Sequence, residues 1–153
     1  MIVVSDTSPL TALLSVGEEK ILPRLFGRVI VPCAVQEELL RSHAAWPEWL
    51  QVCEVADPSA ALRFSLTVDE GEAEAIELAK ELRADLLLID ERKGRRLASA
   101  EGVPVIGLLG VVVLAKRSGL IPSARELIAQ LRSRAGFYLS GELVDRALAS
   151  IGE

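Results

Sequence analysis

Short apolar segments alternate along this chain with longer stretches of helical periodicity. The apolar segments occupy 2–5, 28–31, 51–55, 86–90 and 103–107, and most are rich in Val, Ile or Leu. Apolar segments of this length are too short for buried helices, so we predict that each is a strand. Strands that alternate with helices form a parallel sheet that helices cover on both faces. In such sheets, ligands bind beyond the carboxyl ends of the strands.

Capping patterns and periodicity predict the helices. Three pairs of residues have N-terminal capping patterns: Ser8–Pro9, Thr67–Glu70 and Ser123–Glu126. The first pair begins a helix that runs to about Leu14, and Gly17 is expected to end it. The other predicted helices span 18–26, 33–42, 68–82, 92–100, 108–116, 124–134 and 142–151.

Size and apolar content fit a single domain. The chain has 153 residues, of which 50% are hydrophobic, so a sizeable core can form. The longest apolar run, from Val103, contains Gly and Pro and is too short to span a bilayer. The N-terminus lacks the features of a signal peptide, and Cys33 and Cys53 have neither disulfide-framework nor metal-ligand spacing. We therefore expect a cytoplasmic protein with reduced cysteines.

Net charge and aromatic content limit how this chain can bind nucleic acid. The formal charge is −5, whereas proteins that hold long nucleic acids through many phosphate contacts are usually basic. Only 4% of the residues are aromatic, so we do not expect a base-stacking platform. A nucleic-acid substrate therefore requires local or metal-mediated contacts.

Two carboxylates stand at the ends of strongly apolar strands. Asp6 follows IVVS, and Asp90 ends LLLID. An Asp in this position is often a helix N-cap, and for Asp6 alone the capping and ligand-binding interpretations are about equally supported. A second such Asp favours a shared site, because the carboxyl ends of parallel strands meet at one edge of the sheet.

A third carboxylate is turned inward by helical periodicity. In GEAEAIELAKEL, residues 71–82, Glu72 lies on the apolar face with Ala75, Ile76 and Ala79. The other charged residues of this helix are expected in water: Glu74, Glu77, Lys80 and Glu81. A buried, unpaired carboxylate costs several kcal/mol. Glu72 therefore pairs with an inward Arg, lies in a partly exposed first turn, or binds a cation.

Glu38 is a weaker inward candidate. It follows Val35 at i+3 and borders the apolar stripe of the helix 33–42, whereas Glu37 points to the side. Taken alone, Glu38 is more simply interpreted as a solvated residue at the edge of that stripe.

Convergence of these acids would require a cation. The repulsion between two carboxylates at 4 Å is roughly 4 kcal/mol at an effective dielectric constant of 20. Oxygen ligands without His or Cys favour Mg²⁺ or Mn²⁺, and two such ions would balance four carboxylates. The acids concerned are Asp6, Glu38, Glu72 and Asp90.

The order and spacing of these residues resemble the PIN domain, in particular VapC-like ribonucleases of the subgroup with a GEAEAI stretch. The resemblance runs from Met1 to about Leu120: VVSDTS, then the Pro-opened helix VPCAVQEEL, then an acid 18 residues before a strand-end Asp. It implies a three-layer α/β/α sandwich with a central parallel sheet. This chain has Glu72 where the family often has Asp, and Leu88 where it often has Thr. Both departures bear on the fine geometry of the metal site.

The resemblance implies a metal-dependent ribonuclease and assigns residues to it. Both metal binding and catalysis would fall to Asp6, Glu38, Glu72 and Asp90, with Mg²⁺ or Mn²⁺ as the cofactor. Thr7 or Ser8 would bind a metal ligand or a phosphate, although Ser8 equally suits a helix cap. A basic run follows Asp90, and it is either a solvated helix face or a local phosphate-binding patch: Arg92, Lys93, Arg95 and Arg96.

The resemblance also implies partners. Related PIN proteins often dimerise and bind an antitoxin across exposed helices. We predict one domain over 1–153, in which 121–153 is a C-terminal helical extension whose apolar stripe favours a homodimer. That stripe consists of Leu127, Ile128, Leu131, Leu143, Val144, Ala147 and Leu148. The expected partners are thus an RNA substrate, a second copy of the chain and, for a toxin of a toxin–antitoxin pair, a small antitoxin protein.

Other phosphate-handling classes lack their motifs here. The first strand is not followed by Asp-x-Asp, since Ser8 fills the second place, and there is no Gly-rich phosphate loop. The remaining alternative is a PIN-fold binding or regulatory module whose acids no longer gather metal. Stabilisation by metal ions would separate the two hypotheses.

Overall fold

A five-stranded parallel sheet forms the centre of the computed structural model, which describes residues 1–153. Its strands are β1 (Val3–Ser5), β2 (Val29–Val31), β3 (Leu50–Val52), β4 (Leu86–Leu88) and β5 (Val105–Ile106). Their order is β3-β2-β1-β4-β5, and every neighbouring pair is parallel. The chain builds one half of the sheet outward from β1 and the other half outward from β4. The switch point therefore lies between β1 and β4.

Nine helices surround the sheet. They are α1 (Thr7–Val16), α2 (Ile21–Phe26), α3 (Cys33–Ser42), α4 (Pro58–Phe64), α5 (Glu70–Leu82), α6 (Arg92–Ala100), α7 (Leu108–Arg117), α8 (Ala124–Ser133) and α9 (Gly141–Ser150). Only α4 was not predicted. All five strands are shorter than predicted. No helix combines the length and the apolar content that a membrane span requires.

Helices cover both faces of the sheet. In β1, Val3 faces one core and Val4 faces the other, and both side chains are fully buried. In β4, Leu88 and Leu87 divide in the same way. The larger core includes residues of α1, α2, α7, α8 and α9, and the smaller one includes residues of α4, α5 and α6. The predicted three-layer α/β/α sandwich is therefore confirmed.

The predicted start of α1 is wrong by two residues. The helix begins at Thr7 with Asp6 in the N-cap position, so Ser8 is not the cap and Pro9 is the third helical residue. The reason lies in the sheet: the Asp6 amide donates to the Leu88 carbonyl at 2.9 Å and keeps Asp6 extended until the helix begins.

The predicted cap of α5 is also wrong. The N-cap is Asp69, whose carboxylate accepts a hydrogen bond from the Glu72 amide at 2.8 Å, whereas Thr67 is exposed before the helix. Asp is at least as good an N-cap as Thr, and Asp69 has the same three-residue spacing to Glu72 as Thr67 has to Glu70. The shift matters because it brings a further carboxylate close to Glu72.

Glu77 lies in the interior and not in water, which corrects the prediction for this side of α5. Its side chain is 6% exposed. The cause is the unpredicted helix α4, which packs against α5, and the segment before α4 is fastened to Glu81 through the amides of Ala56 and Asp57. Burial and the neighbouring Glu81 raise the pKa of Glu77 to about 7.

The C-terminal helices belong to the larger core. α8 begins at the predicted cap, where the Ser123 hydroxyl accepts from the Glu126 amide at 3.1 Å. Most of the apolar stripe is buried within this core: Leu127, Ile128, Leu131, Val144 and Leu148. Ala147 is partly buried, and Leu143 is 54% exposed. Dimerisation stays a prediction, but this stripe no longer supports it, because the same chain already covers most of it.

Candidate active site

Asp6 and Asp90 lie at the carboxyl edge of the sheet, on either side of the switch point. Asp6 directly follows β1, and its amide extends the hydrogen-bond ladder to Leu88. Asp90 follows Ile89, whose amide donates to the Ile106 carbonyl of β5 at 3.0 Å. Because β1 and β4 are parallel neighbours, their ends bring both carboxylates to the same edge, as the sequence predicts.

Asp6 is a buried acid whose carboxylate does not cap a helix. Its backbone occupies the N-cap position of α1, yet the side chain makes no capping hydrogen bond and is 5% exposed. Burial raises the pKa of Asp6 to about 7; the Thr7 amide opposes this shift, and the nearby carboxylates of Asp69, Glu38 and Asp90 add to it. The capping interpretation of this side chain is therefore excluded.

Glu38 approaches Asp6 beside a glycine. Helix α3 contacts both α1 and α5, and it brings Glu38 to Gly71 in the first turn of α5. A Cβ atom added to Gly71 would lie 2.7 Å from Oε1 of Glu38 and 3.5 Å from Oδ1 of Asp6. The two carboxylates thus lie beside the same residue, and a larger side chain there would displace the end of Glu38. Glu38 is half-buried beside Asp6, so it is not the fully solvated residue that α3 taken alone favours.

Glu72 is buried without a cationic partner. Its side chain is 3% exposed, so it does not lie in an exposed first turn. None of the salt bridges in the protein involves Glu72, which excludes the inward Arg. Its Oε2 atom is buried with no hydrogen-bond partner. Burial, a hydrogen bond with Asp69 and the charge of Asp6 together raise the pKa of Glu72 to about 9, and burial is the largest cause.

Two acids that were not predicted lie beside Glu72. One carboxylate oxygen from each of Asp69, Glu72 and Glu91 lies within 4.8 Å of the other two. Asp69 and Glu91 are the exposed N-cap residues of α5 and α6. Both had a sequence signal: Asp69 stands at capping distance before Glu72, and Glu91 directly follows Asp90.

Asp90 is oriented by the start of α7. Its Oδ1 atom accepts a hydrogen bond from the Leu108 amide at 2.8 Å, whereas Oδ2 is buried without a partner. Burial raises the pKa of Asp90 to about 6, although the Leu108 amide and the Arg95 charge oppose the shift. One oxygen is therefore held by the protein and the other is free for a ligand.

The predicted acids are electrostatically coupled, but of these four only Glu72 belongs to the group of carboxylates that lie close enough together to share one ion, with Asp69 and Glu91. Glu38 and Asp90 raise the pKa of Asp6, and Asp6 raises that of Glu72. Two buried oxygens, on Glu72 and Asp90, lack any partner. Every donor in the group is a carboxylate oxygen, which is the ligand type that hard divalent cations prefer. The side chains present therefore fit a divalent metal ion.

Two depressions border the acids. A groove of about 1450 Å³ opens beside Asp90 and Glu91, and a second depression of about 420 Å³ opens beside Asp6, Glu38 and Asp69. The predicted substrate-binding residues that line them are Thr7, Ser8, Arg92, Arg95 and Arg96. Lys93 is exposed but lines neither depression. The Thr7 hydroxyl oxygen is buried without a partner.

The chain is thus an α/β protein with a central parallel sheet, and its carboxylates lie near the switch point between β1 and β4, where they could bind a divalent ion. A family model described as a PIN domain matches residues 2–153, so the chain belongs to the PIN-domain family. This match includes the C-terminal helices, which the sequence resemblance did not reach. Membership of the family suggests nuclease activity, and PIN nucleases use divalent metal ions. No characterised protein and no solved structure is significantly similar to the chain.

Proposed function

We propose that this protein is a VapC-like endoribonuclease that uses Mg²⁺ or Mn²⁺ to hydrolyse phosphodiester bonds of single-stranded RNA. The convergence of Asp6 and Glu38 on Gly71, with Glu72 buried nearby and without a cationic partner, carries this proposal. Gathering buried acids without a cation costs free energy, and a bound divalent ion offsets that cost.

In this proposal, Asp6, Glu38, Glu72 and Asp90 hold the metal and are the catalytic residues. A divalent ion, when bound, activates water and stabilises the leaving oxygen of a phosphodiester. The protein's own contribution is orientation: the Leu108 amide fixes one oxygen of Asp90. The substrate phosphate is held from the α6 side of the groove by guanidinium groups, and the hydroxyl of Ser8 donates to it from the α1 side.

The test compares two Asp-to-Asn variants. Asp6→Asn should abolish Mg²⁺- or Mn²⁺-dependent cleavage of a labelled single-stranded RNA and should leave the circular dichroism spectrum unchanged. Asp145→Asn is the matched control, because Asp145 is exposed on α9 and lines neither depression. Undiminished cleavage by purified Asp6→Asn would overturn the assignment.

The melting temperature in metal and in chelator distinguishes the nuclease from a metal-free binding module of the same fold. The nuclease should melt at a higher temperature in Mn²⁺ than in chelator, because an ion that binds only the native state stabilises it by mass action. The module should show no difference. This measurement requires no knowledge of the RNA substrate.

We further propose that the protein is the toxin of a toxin–antitoxin pair, with a small antitoxin as its partner, and that it forms a homodimer. The likeness of the motif order to VapC-like ribonucleases supports both points. An adjacent reading frame for a small DNA-binding antitoxin, and a dimer mass by light scattering at micromolar concentration, are the expected observations. A monomer mass in the absence of any partner would contradict the dimer.

A further inference from the structure

The groove beside Asp90 has two chemically different walls. Helix α6 contributes a basic wall, and the segment from α8 to the first turn of α9 contributes an apolar and aromatic wall. The basic wall consists of Arg92, Arg95 and Arg96, and the apolar wall includes Phe137, Tyr138, Leu139 and Leu143. An extended single strand of RNA also has two sides, with phosphates on one and bases on the other.

The arginines of the basic wall have no anionic partner at salt-bridge distance. The salt bridges of this protein involve Lys80, Lys116 and Arg146, and none of the arginines of the groove. In a chain with a net charge of −5, this wall is a local positive surface beside the acids. Guanidinium groups bind phosphate oxygens through paired hydrogen bonds, so the basic wall matches a run of phosphates.

Tyr138 stands where the groove meets the depression beside Asp6. Both depressions are lined by Ser8, Phe137 and Tyr138. The Tyr138 side chain is 87% exposed, so its ring is free on the surface.

The segment that carries Tyr138 is anchored on both sides. The Phe137 amide donates to the Leu131 carbonyl at 3.0 Å, and Arg132 donates to the Leu139 carbonyl at 2.9 Å. The Phe137 side chain also packs against the larger core. The backbone on both sides of Tyr138 is therefore held in place, and Tyr138 lines the same depression as Asp6, Glu38 and Asp69.

We infer that Tyr138 stacks on a base of single-stranded RNA whose phosphates lie along Arg92, Arg95 and Arg96. This inference rests on the proposed ribonuclease function and adds a residue that selects the substrate. Base faces are accessible only in unpaired strands, so stacking on Tyr138 favours single-stranded over duplex RNA. A single stacking residue is compatible with the low aromatic content of the chain, which argues only against an extended stacking platform.

The test measures binding in the Asp6→Asn background, so that Mg²⁺ can be present without cleavage. The probe is a fluorescein-labelled 12-nucleotide single-stranded RNA of mixed sequence, and the readout is fluorescence anisotropy. Tyr138→Ala should weaken binding between about 5-fold and about 150-fold, which is the range for loss of one stacked base. Tyr138→Phe keeps the ring and should bind within about twofold of the parent.

Salt dependence separates stacking from phosphate binding. Arg96→Ala should lower the slope of log K against log salt by about 0.7, the value for one phosphate contact on a single strand. Tyr138→Ala should weaken binding and leave that slope unchanged. Leu66→Ala is the control, since Leu66 is 91% exposed and lines neither depression, and it should change neither quantity.

The outcomes distinguish this inference from the proposed function. If Tyr138→Ala binds as tightly as its parent while the wild type cleaves RNA, the stacking role is wrong and the nuclease assignment stands. If binding depends on Tyr138 but the wild type never cleaves, the nuclease assignment is wrong and the stacking role stands. Equal affinity for a duplex, or no RNA binding at all, would overturn the inference, and the latter result would leave the groove as a surface for a polypeptide.

Discussion

Oε1 of Glu38 lies 2.7 Å from the position that a Cβ atom on Gly71 would take. Gly71 is in the first turn of α5, and its backbone is not in the left-handed region, so the helix itself does not require glycine. The Glu38 carboxylate explains the glycine, because its present position leaves no space for a Cβ atom, whereas Asp6 at 3.5 Å would make an ordinary contact. Gly71 thus connects the position of α5 to the geometry of the acidic site.

Gly71→Ala should separate stability from activity. Ala is favoured over Gly in a helix by about 1 kcal/mol, and the end of the Glu38 side chain can move aside, so the melting temperature should be unchanged or higher. Displacing Glu38 should lower metal affinity and cleavage by about 10- to 100-fold, as is typical when the surroundings of a metal ligand are disturbed. Thermal melts and RNA cleavage assays measure the two effects.

Gly141→Ala is the matched control for that substitution. Gly141 is the first residue of α9, and an added Cβ would meet nothing within 4 Å. This variant should keep full cleavage activity. If Gly71→Ala cleaves RNA as fast as Gly141→Ala does, Glu38 does not have the role that we propose.

Glu72→Gln should raise the melting temperature of the metal-free protein. The folded-state pKa of Glu72 is raised to about 9 from an ordinary value of 4.5. Because this pKa is higher in the folded protein than in the unfolded chain, the free energy of unfolding is largest below pH 4.5 and decreases as the pH rises toward 9. Gln cannot ionise, and its amide can donate to Asp69 as the protonated acid does. At pH 7 in chelator, the variant should be more stable than the wild type by roughly 1–3 kcal/mol.

The Glu72→Gln comparison has a control in the same turn of α5. Glu70 is exposed, so Glu70→Gln should leave the melting temperature in chelator nearly unchanged. Added Mn²⁺ should stabilise the wild type more than Glu72→Gln, and cleavage should be lost in Glu72→Gln only. A Glu72→Gln variant that melts clearly below the wild type in chelator would reject the metal-site role of Glu72.

Stabilisation by metal should grow as the pH rises. The pKa is raised to about 6 for Asp90, about 7 for Asp6 and about 9 for Glu72, so these groups bind protons in the metal-free fold at pH values where an unfolded chain would not. A metal ion must displace those protons. The rise in melting temperature on adding Mn²⁺ should therefore be larger at pH 8.5 than at pH 5.5. Equal shifts at both pH values would show that the ion binds elsewhere.

Glu153→Ala should destabilise the packing of the C-terminal helices. The Glu153 carboxylate accepts hydrogen bonds from the amides of Ala124 and Arg125 and from the Ser123 hydroxyl, at the start of α8. The Ala124 amide is the main cause that lowers the pKa of Glu153 to about 2, and the Lys116 charge adds to the shift. Because the pKa of Glu153 is lower in the folded protein than in the unfolded chain, its contribution to the free energy of unfolding is present above pH 4.5 and is lost as the pH falls toward 2.

Thermal melts between pH 7 and pH 2.5 measure this contribution. The difference between the wild type and Glu153→Ala should be largest at pH 7 and should shrink in acid. Glu142→Ala is the control, because Glu142 pairs with Arg146 at 2.9 Å with both side chains about three-quarters exposed, and such pairs contribute little. A difference that stays constant down to pH 2.5 would contradict the role of the carboxylate.

Three features of this protein could be predicted from the order of its residues: the parallel α/β fold, the ends of β1 and β4 as the place of Asp6 and Asp90, and the inward direction of Glu72. These features depend on local periodicity and on the chemistry of neighbouring residues, which are visible in the order of the chain. The C-terminal helices were also located correctly, but their packing into the larger core was not, because an apolar stripe does not reveal which surface covers it.

Which acids lie close together depends on how the helices pack and could not be predicted from the sequence. The pattern of α3 alone predicts a solvated Glu38. In the structure Glu38 approaches Asp6, because α3 packs against both α1 and α5. Asp69 and Glu91 join Glu72 because two helix N-termini meet at the sheet edge, and the raised pKa values follow from burial that the sequence does not show. Distances between residues far apart in the chain depend on how whole elements pack, and packing is decided by the summed contacts of both cores rather than by any local pattern.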